Sequence, residues 1–313
     1  MILQRFAQFL LKRRTNAILI ALLFSIVGFL RWIGSVVAGF VTIRKGPWEG
    51  GLVFLWTFLP IIVLWTLQPQ FWFYLTVYIV TQVIFWLMAT TMMYRQEYRP
   101  CLYVVTAGGI LGLIVFIALV SDVNQWIIQH MTMLINQEKQ ALSSAQINEI
   151  QAYRDQFKTF AQNYPALATM FGCGFPALLM GLWITVNLLI ARMLDRSLVN
   201  PEQFSQEFGL IHIPYIYSIG VLAIVAISVY IESGILMALL PLLTFPLIMA
   251  GVSLIHYLIL NTNMPNFLLF VFYLILVIGL LTMVALPIMA LIFIFVALID
   301  SVFDFRGRLS SIF

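Results

Sequence analysis

The chain has 313 residues, 63% of them hydrophobic and 9% charged, with a mean hydropathy of +1.03. An ordinary soluble domain carries about 25% charged residues, and no soluble core absorbs this much apolar surface without leaving large exposed patches. A soluble globular protein is therefore excluded, and the 16 Lys and Arg behind the net charge of +4 are scattered over short loops, as topology signals are and a nucleic-acid-binding face is not.

The first residues, MILQRFAQFLLKRRTN, set basic side chains ahead of an apolar run without a clear small-residue cleavage site, so a retained start is expected. Apolar stretches follow at 17–30, 33–43, 51–67, 71–93 and 101–121, and again at 166–191, 213–231, 235–260, 266–282 and 284–300. A helix needs ~20 apolar residues to cross about 30 Å of hydrocarbon, which leaves the first two and last two stretches short. Reading 17–43 as a hairpin turning at Arg31-Trp32, and 266–300 as one turning near Met283 to Pro287, gives ten segments. Both termini then lie inside, and Arg5, Lys12, Arg13, Arg14, Arg44, Lys45, Arg95, Arg99, Arg192, Arg196, Arg306 and Arg308 share the cytoplasmic face, as basic residues in short loops do. A single span over 17–43 would instead put Arg44, Lys45, Arg95 and Arg99 outside.

Within this frame RKGPWEG, residues 44–50, reads as a cytoplasmic turn. Gly46 and Pro47 end one helix before the next, and Arg44, Lys45 and Glu49 supply the charge. The one long hydrophilic stretch, 122–165, has a helical stripe of Ile147, Ile150, Tyr153, Phe157, Phe160 and Tyr164, at spacings of three and four. It predicts an amphipathic helical hairpin on the outer surface with a break at Ser143-Ser144. Its apolar face has three open destinations: the membrane domain, the lipid headgroups or a partner. The expected fold is all-α, a polytopic transmembrane bundle of about 8 to 10 segments. Residues 1–121 and 166–313 form one membrane domain around an external insert at 122–165.

Ionisable residues inside a bilayer cost several kcal/mol and are candidate functional groups. Arg31 is a candidate contact for an anionic substrate or headgroup, or else marks a hairpin end. Glu232, in YIESGI, either pairs with Arg31 across the outer mouth or is an exposed turn carboxylate. His256, in SLIHYLIL, is a candidate proton or ligand contact or a hydrogen-bonded packing residue, and Asn187 is either a substrate contact or an interhelical hydrogen bond. Asp300 and Asp304 are expected to pair with Arg44 or Lys45, or to stay exposed. Ala17 and Ala21, Ser35 and Gly39, and Gly108 and Gly112 stand four apart, a spacing that lets helices approach. Pro176, Pro241, Pro246 and Pro287 interrupt apolar segments, either as kinks or as the broken helices that line transporter cavities. Cys101 and Cys173 read as buried inert thiols. No Walker loop, GxSxG, HExxH or CxxC occurs, so neither an enzyme, a metal site nor a cofactor is expected.

VTIRKGPWEGGLVFL, LIARMLDRSLVNPEQFSQEFGLIHIP, AGVSLIHYLIL and VALIDSVFDFRGRL, in that order, resemble segments of the YybS-like bacterial membrane proteins, a family of unknown function. The resemblance runs from about residue 36 to 308. It implies a bacterial cytoplasmic-membrane location and a fold akin to the substrate-capturing subunits of energy-coupling-factor vitamin transporters. Such subunits bind small molecules within a helix bundle and dock on a second membrane subunit through small-residue faces, a pattern that Ala17 and Ala21 fit. The same fold relation includes proteins that assemble cell-envelope machinery. Two functions follow. One is a small-molecule binding or transport component using Arg31, Asn187, Glu232 and His256. The other is a non-catalytic envelope scaffold whose cytoplasmic surface comprises Arg44, Lys45, Glu49, Asn200, Pro201, Phe204, Glu207, Asp300, Asp304 and Arg306. The partners implied are the lipid bilayer and either a small ligand or a membrane protein.

Overall fold

The computed structural model describes residues 2–66, 72–120, 122–138, 143–261, 265–282 and 286–310, and every regular element among them is helical. The helices are α1 (Ile2–Lys12), α2 (Arg14–Ile26), α3 (Arg31–Lys45), α4 (Pro47–Thr66), α5 (Trp72–Arg95), α6 (Tyr98–Leu119), α7 (Val123–Glu138), α8 (Ser144–Asn163), α9 (Pro165–Thr169), α10 (Phe175–Ser197), α11 (Pro201–Gly209), α12 (Tyr215–Ile231), α13 (Gly234–Asn261), α14 (Asn266–Thr282), α15 (Leu286–Phe303) and α16 (Phe305–Ser310). Among the described residues, four stretches are long and apolar enough to cross a membrane: α5, α6, the run Pro165–Ser197 through α9 and α10, and α13. Shorter apolar helices lie in α2, α4, α12, α14 and α15. The protein is thus an all-α polytopic membrane protein. The first hairpin turns earlier than expected, because α2 stops at Ile26 and one 3₁₀ turn, Gly28–Leu30, hands the chain to Arg31 as the first residue of α3. Most of the expected second turn, 283–285, lies outside the described residues.

The chain forms two compact units. The first comprises Met1–Thr106, Gly181–Ser218 and Pro246–Phe313, and α3 is its axis, with every residue from Gly34 to Ile43 buried. A sequence of small side chains makes that depth possible. A Cβ on Gly34 would stand 2.8 Å from Ser25 Oγ and 2.9 Å from the Ala21 carbonyl of α2, and one on Gly39 would stand 2.7 Å from the Phe85 ring of α5 and 3.5 Å from Ala191 of α10. Close backbone approach is what small residues contribute where lipid cannot drive helices together. Ala17 and Ala21 are buried too, on the α2 face that meets α3.

The RKGPWEG corner is built as its composition suggests. Gly46 has φ +106 and caps α3 by donating to the Thr42 carbonyl at 3.0 Å, an essentially glycine-only conformation that costs a residue with a Cβ about 1–3 kcal/mol. Pro47 then opens α4, and its carbonyl accepts from Trp86 Nε1 at 3.0 Å. Glu49, in the first turn of α4, pairs with Arg14, and Lys45 Nζ donates to the Leu11 carbonyl at 2.9 Å. These bonds gather α1, α2, α3 and α4 at one end of the unit, here the Arg44 end.

The second unit comprises Ala107–Met180 and Ile219–Phe245. Its core is Leu113, Val123, Ile127, Cys173, Ala238 and Leu242, with Phe157 packed against it. The hydrophilic stretch is helical as expected: α8 starts with a capping box in which Ser143 and Gln146 satisfy each other. Part of the stripe packs within the chain: Phe157 lies in this core and Phe160 meets Phe171 at 6.1 Å, while Ile150 is exposed. Tyr153 and Tyr164 remain exposed. Of the two readings of Pro241 and Pro246, the broken helix is not the one observed, because α13 runs unbroken through both. The irregular turn is instead a π-helical bulge at Met170–Gly174, where a Cβ on Gly174 would collide with the Ala238 carbonyl. Cys101 and Cys173 are both free and buried.

Candidate functional site

Two polar assemblies stand out in the first unit. One lies along α3, α5 and α10. Arg31 places its guanidinium carbon 5.5 Å from the centre of the Tyr78 ring, and Gly39, two turns further on, meets Phe85. Those two contacts bracket Ser35 on α3 and Gln82 on α5, which share the same faces at helical spacing. The Trp32–Trp183 edge contact at 6.5 Å and the Gly39–Ala191 contact bracket Asn187 on α10 in the same way. Arg31, Ser35, Tyr78, Gln82 and Asn187 therefore occupy one layer.

This layer is short of partners. The buried atoms Arg31 Nε, Ser35 Oγ, Tyr78 Oη, Gln82 Oε1 and Asn187 Nδ2 have no hydrogen-bond partner among the described residues. The Ser35 and Tyr78 hydroxyls adjoin without completing a bond. Ser35 and Asn187 are each 1% exposed and Gln82 is 4% exposed. Tyr78 and Gln82 sit six and ten residues into α5, about 9 and 15 Å along its axis at the helical rise. An unpaired buried polar group costs about 1–3 kcal/mol, and native interiors leave few of them. Five in one layer make a site poised to hydrogen-bond something.

The other assembly is an ion-pair network at the Arg44 end, in which Arg196 Nε, Asp300 Oδ1 and Arg306 Nε and Nη1 still have no hydrogen-bond partner among the described residues. Arg192, 1% exposed, donates to Glu207 through Nε at 3.0 Å and Nη2 at 3.1 Å and to Asp195 through Nη1 at 3.1 Å. Arg196 also pairs with Glu207, and Arg44 reaches Asp195 at 3.3 Å. Glu207 belongs to α11, whose first turn is set by Pro201 and by the Asn200 side chain accepting from Glu202 N–H at 3.2 Å. Ser253 of α13 donates to the Phe208 carbonyl at 2.7 Å. His256 approaches the Ser205 carbonyl through Nε2 at 3.0 Å and the Tyr273 hydroxyl through Nδ1 at 2.8 Å, consistent with Nε2–H donating and Nδ1 accepting. Nearby, Arg306 faces Asp300 at 3.5 Å and donates to the Ala250 carbonyl at 3.2 Å. Burial lowers the Arg306 pKa, opposed by Asp300, yet a guanidinium stays charged at any working pH.

Of the four candidate binding residues, the structure brings Arg31 and Asn187 into one layer. His256 belongs to the α11 clamp, and Glu232 is exposed at the turn before α13 with φ 52. Among the candidate interaction residues, Arg44, Glu207, Asp300 and Arg306 are engaged internally, while Asn200 and Pro201 are exposed at the start of α11 and Phe204 is half-buried. Asp304 takes φ 46 and accepts from Gly307 N–H at 3.2 Å. The expected pairing of Asp300 with Arg44 or Lys45 is corrected: Asp300 faces Arg306, and Arg44 is drawn to Asp195, which the i,i+3 partner Arg192 already holds in place. Sequence reasoning missed Ser35, Tyr78 and Gln82, of which Gln82 within an apolar span was a visible signal. It took Arg192 and Arg196 for loop charges, although the spacing of Arg192 and Asp195 is that of a helical ion pair.

No known protein family, curated protein or solved structure compared with this chain matches it.

Proposed function

We propose that this chain is a component of the bacterial cytoplasmic membrane that binds a small molecule between α3, α5 and α10, with both termini on the cytoplasmic side and a YybS-like ancestry. One observation carries the reading: five unpartnered polar atoms, one of them on a guanidinium, share a buried layer of helices otherwise built for lipid. Binding near the middle of a helix bundle is how membrane transport components hold substrate, and an ionisable group there is functional by default. The scaffold reading is the weaker one, because Glu207, Asp300 and Arg306 spend their charge on internal pairs.

Native mass spectrometry of the gently solubilised protein tests this. The wild-type chain is expected to carry a small molecule that Asn187→Leu releases while the variant stays monodisperse. A wild-type protein with no bound species, or with a stoichiometric protein partner in its place, would overturn the proposal.

A further inference from the structure

Resting on that reading, we infer that the ligand is a single-chain amphiphile with an acidic head group. The head lies among Arg31, Ser35, Tyr78 and Asn187, and the chain lies in the groove between α4 and α5.

The head follows from counting unpartnered atoms. Arg31 Nε and Asn187 Nδ2 only donate, the hydroxyls of Ser35 and Tyr78 donate or accept, and Gln82 Oε1 only accepts. A complementary group therefore presents several acceptors and one donor. Arg31 adds a positive charge, and no carboxylate ion pair to it occurs among the described residues. Its contact with the Tyr78 ring offsets little of the cost of holding a cation among apolar helices. The first turn of α3, whose N-cap Leu30 makes no side-chain cap bond, adds the positive end of a helix dipole. A carboxylic or phosphoric head bearing one hydroxyl or amide donor meets these demands.

The chain follows from the adjoining surface. An apolar groove of about 280 Å³ is lined by Leu52, Phe54, Leu55, Phe58 and Val83, and Gln82 also borders it. Phe58 meets Tyr78 edge-on at 6.1 Å, so the groove adjoins the polar layer through Phe58 and through Gln82. Leu55 is 63% exposed and Val83 45%, and on a membrane protein such exposure faces acyl chains. A water-soluble anion would leave this groove unused. An amphiphile entering sideways from the bilayer fills both compartments without carrying its tail through water.

The test uses the full chain in phosphatidylcholine nanodiscs and dodecanoic acid with a photoactivatable diazirine on its chain. Adducts are expected on α4 and α5 around Phe54, Leu55 and Phe58, displaced by excess dodecanoic acid at least tenfold more effectively than by dodecanol. Arg31→Gln should weaken labelling by the acid roughly tenfold or more, the size of a lost charge-assisted hydrogen bond, while Arg31→Lys retains the preference for acid over alcohol. Gly51→Leu, whose side chain enters the groove from α4 with only ordinary contact to Trp86 at its Cβ, should weaken labelling while leaving the polar layer intact. Adducts spread evenly over lipid-facing helices, equal competition by acid and alcohol, or an indifferent Arg31→Gln protein that elutes and melts as wild type would each overturn the inference. A water-soluble anion found on the wild-type chain and released by Asn187→Leu, with no groove labelling, would sink the amphiphile and leave the binding site standing.

Discussion

Truncating Glu207 to alanine strands two guanidinium groups at once. Arg192 loses two of its three hydrogen bonds, at 3.0 and 3.1 Å, and keeps only the one to Asp195, while Arg196 loses its carboxylate altogether. Two charge-assisted bonds at about 1.5–3 kcal/mol each agree with the ~3–5 kcal/mol typical of breaking a buried ion pair from one side. In a chain of this size that corresponds to a fall in apparent Tm on the order of 10 °C, readable by intrinsic tryptophan fluorescence in nanodiscs. The double variant Arg192→Met, Glu207→Leu removes one cation together with the anion. It should recover at least half of the loss, because the penalty of Glu207→Ala lies largely in the uncompensated charge rather than in a missing attraction. If Glu207→Ala melts within about 1 kcal/mol of wild type, or the double variant is as damaged as the sum of the singles, the network is not the clamp on α11 that its geometry describes.

Gln82→Leu should raise stability by up to about 1 kcal/mol, since it replaces an unpaired buried acceptor with a methyl-bearing side chain, and should abolish ligand retention in native mass spectrometry. Stability and binding moving in opposite directions is the signature of a functional rather than structural polar group. Gly251→Ala drives a methyl group into the Phe293 backbone of α15, and thermal melting should show a loss of about 1–3 kcal/mol, as overpacking does. A cysteine at position 45 should react with a membrane-impermeant maleimide in inverted vesicles and not in intact cells, because basic short loops face the cytoplasm. Labelling from outside would reverse the proposed orientation.

The helical content and the approximate extent of the apolar segments were legible because both depend on local sums: a run of apolar residues of a given length, ended by a break such as Gly46-Pro47, forms a membrane helix whatever surrounds it. Arg31 and Asn187 could be singled out for the same reason, since an ionisable or amide group is conspicuous in an apolar run. What those residues face could not be read that way. Ser35 looked like a packing residue and Arg192 like a loop cation, and Tyr78 gave no signal, since each takes its role from helices whose register relative to its own is set by close contacts such as Gly39 against Phe85 and Ala191. The sequence by itself determined that the chain is a helical membrane protein and roughly where its long apolar helices lie. Only the tertiary structure decided which polar groups are paired and which are left waiting, because pairing depends on distances between segments far apart in the chain, whereas solubility in lipid adds up residue by residue.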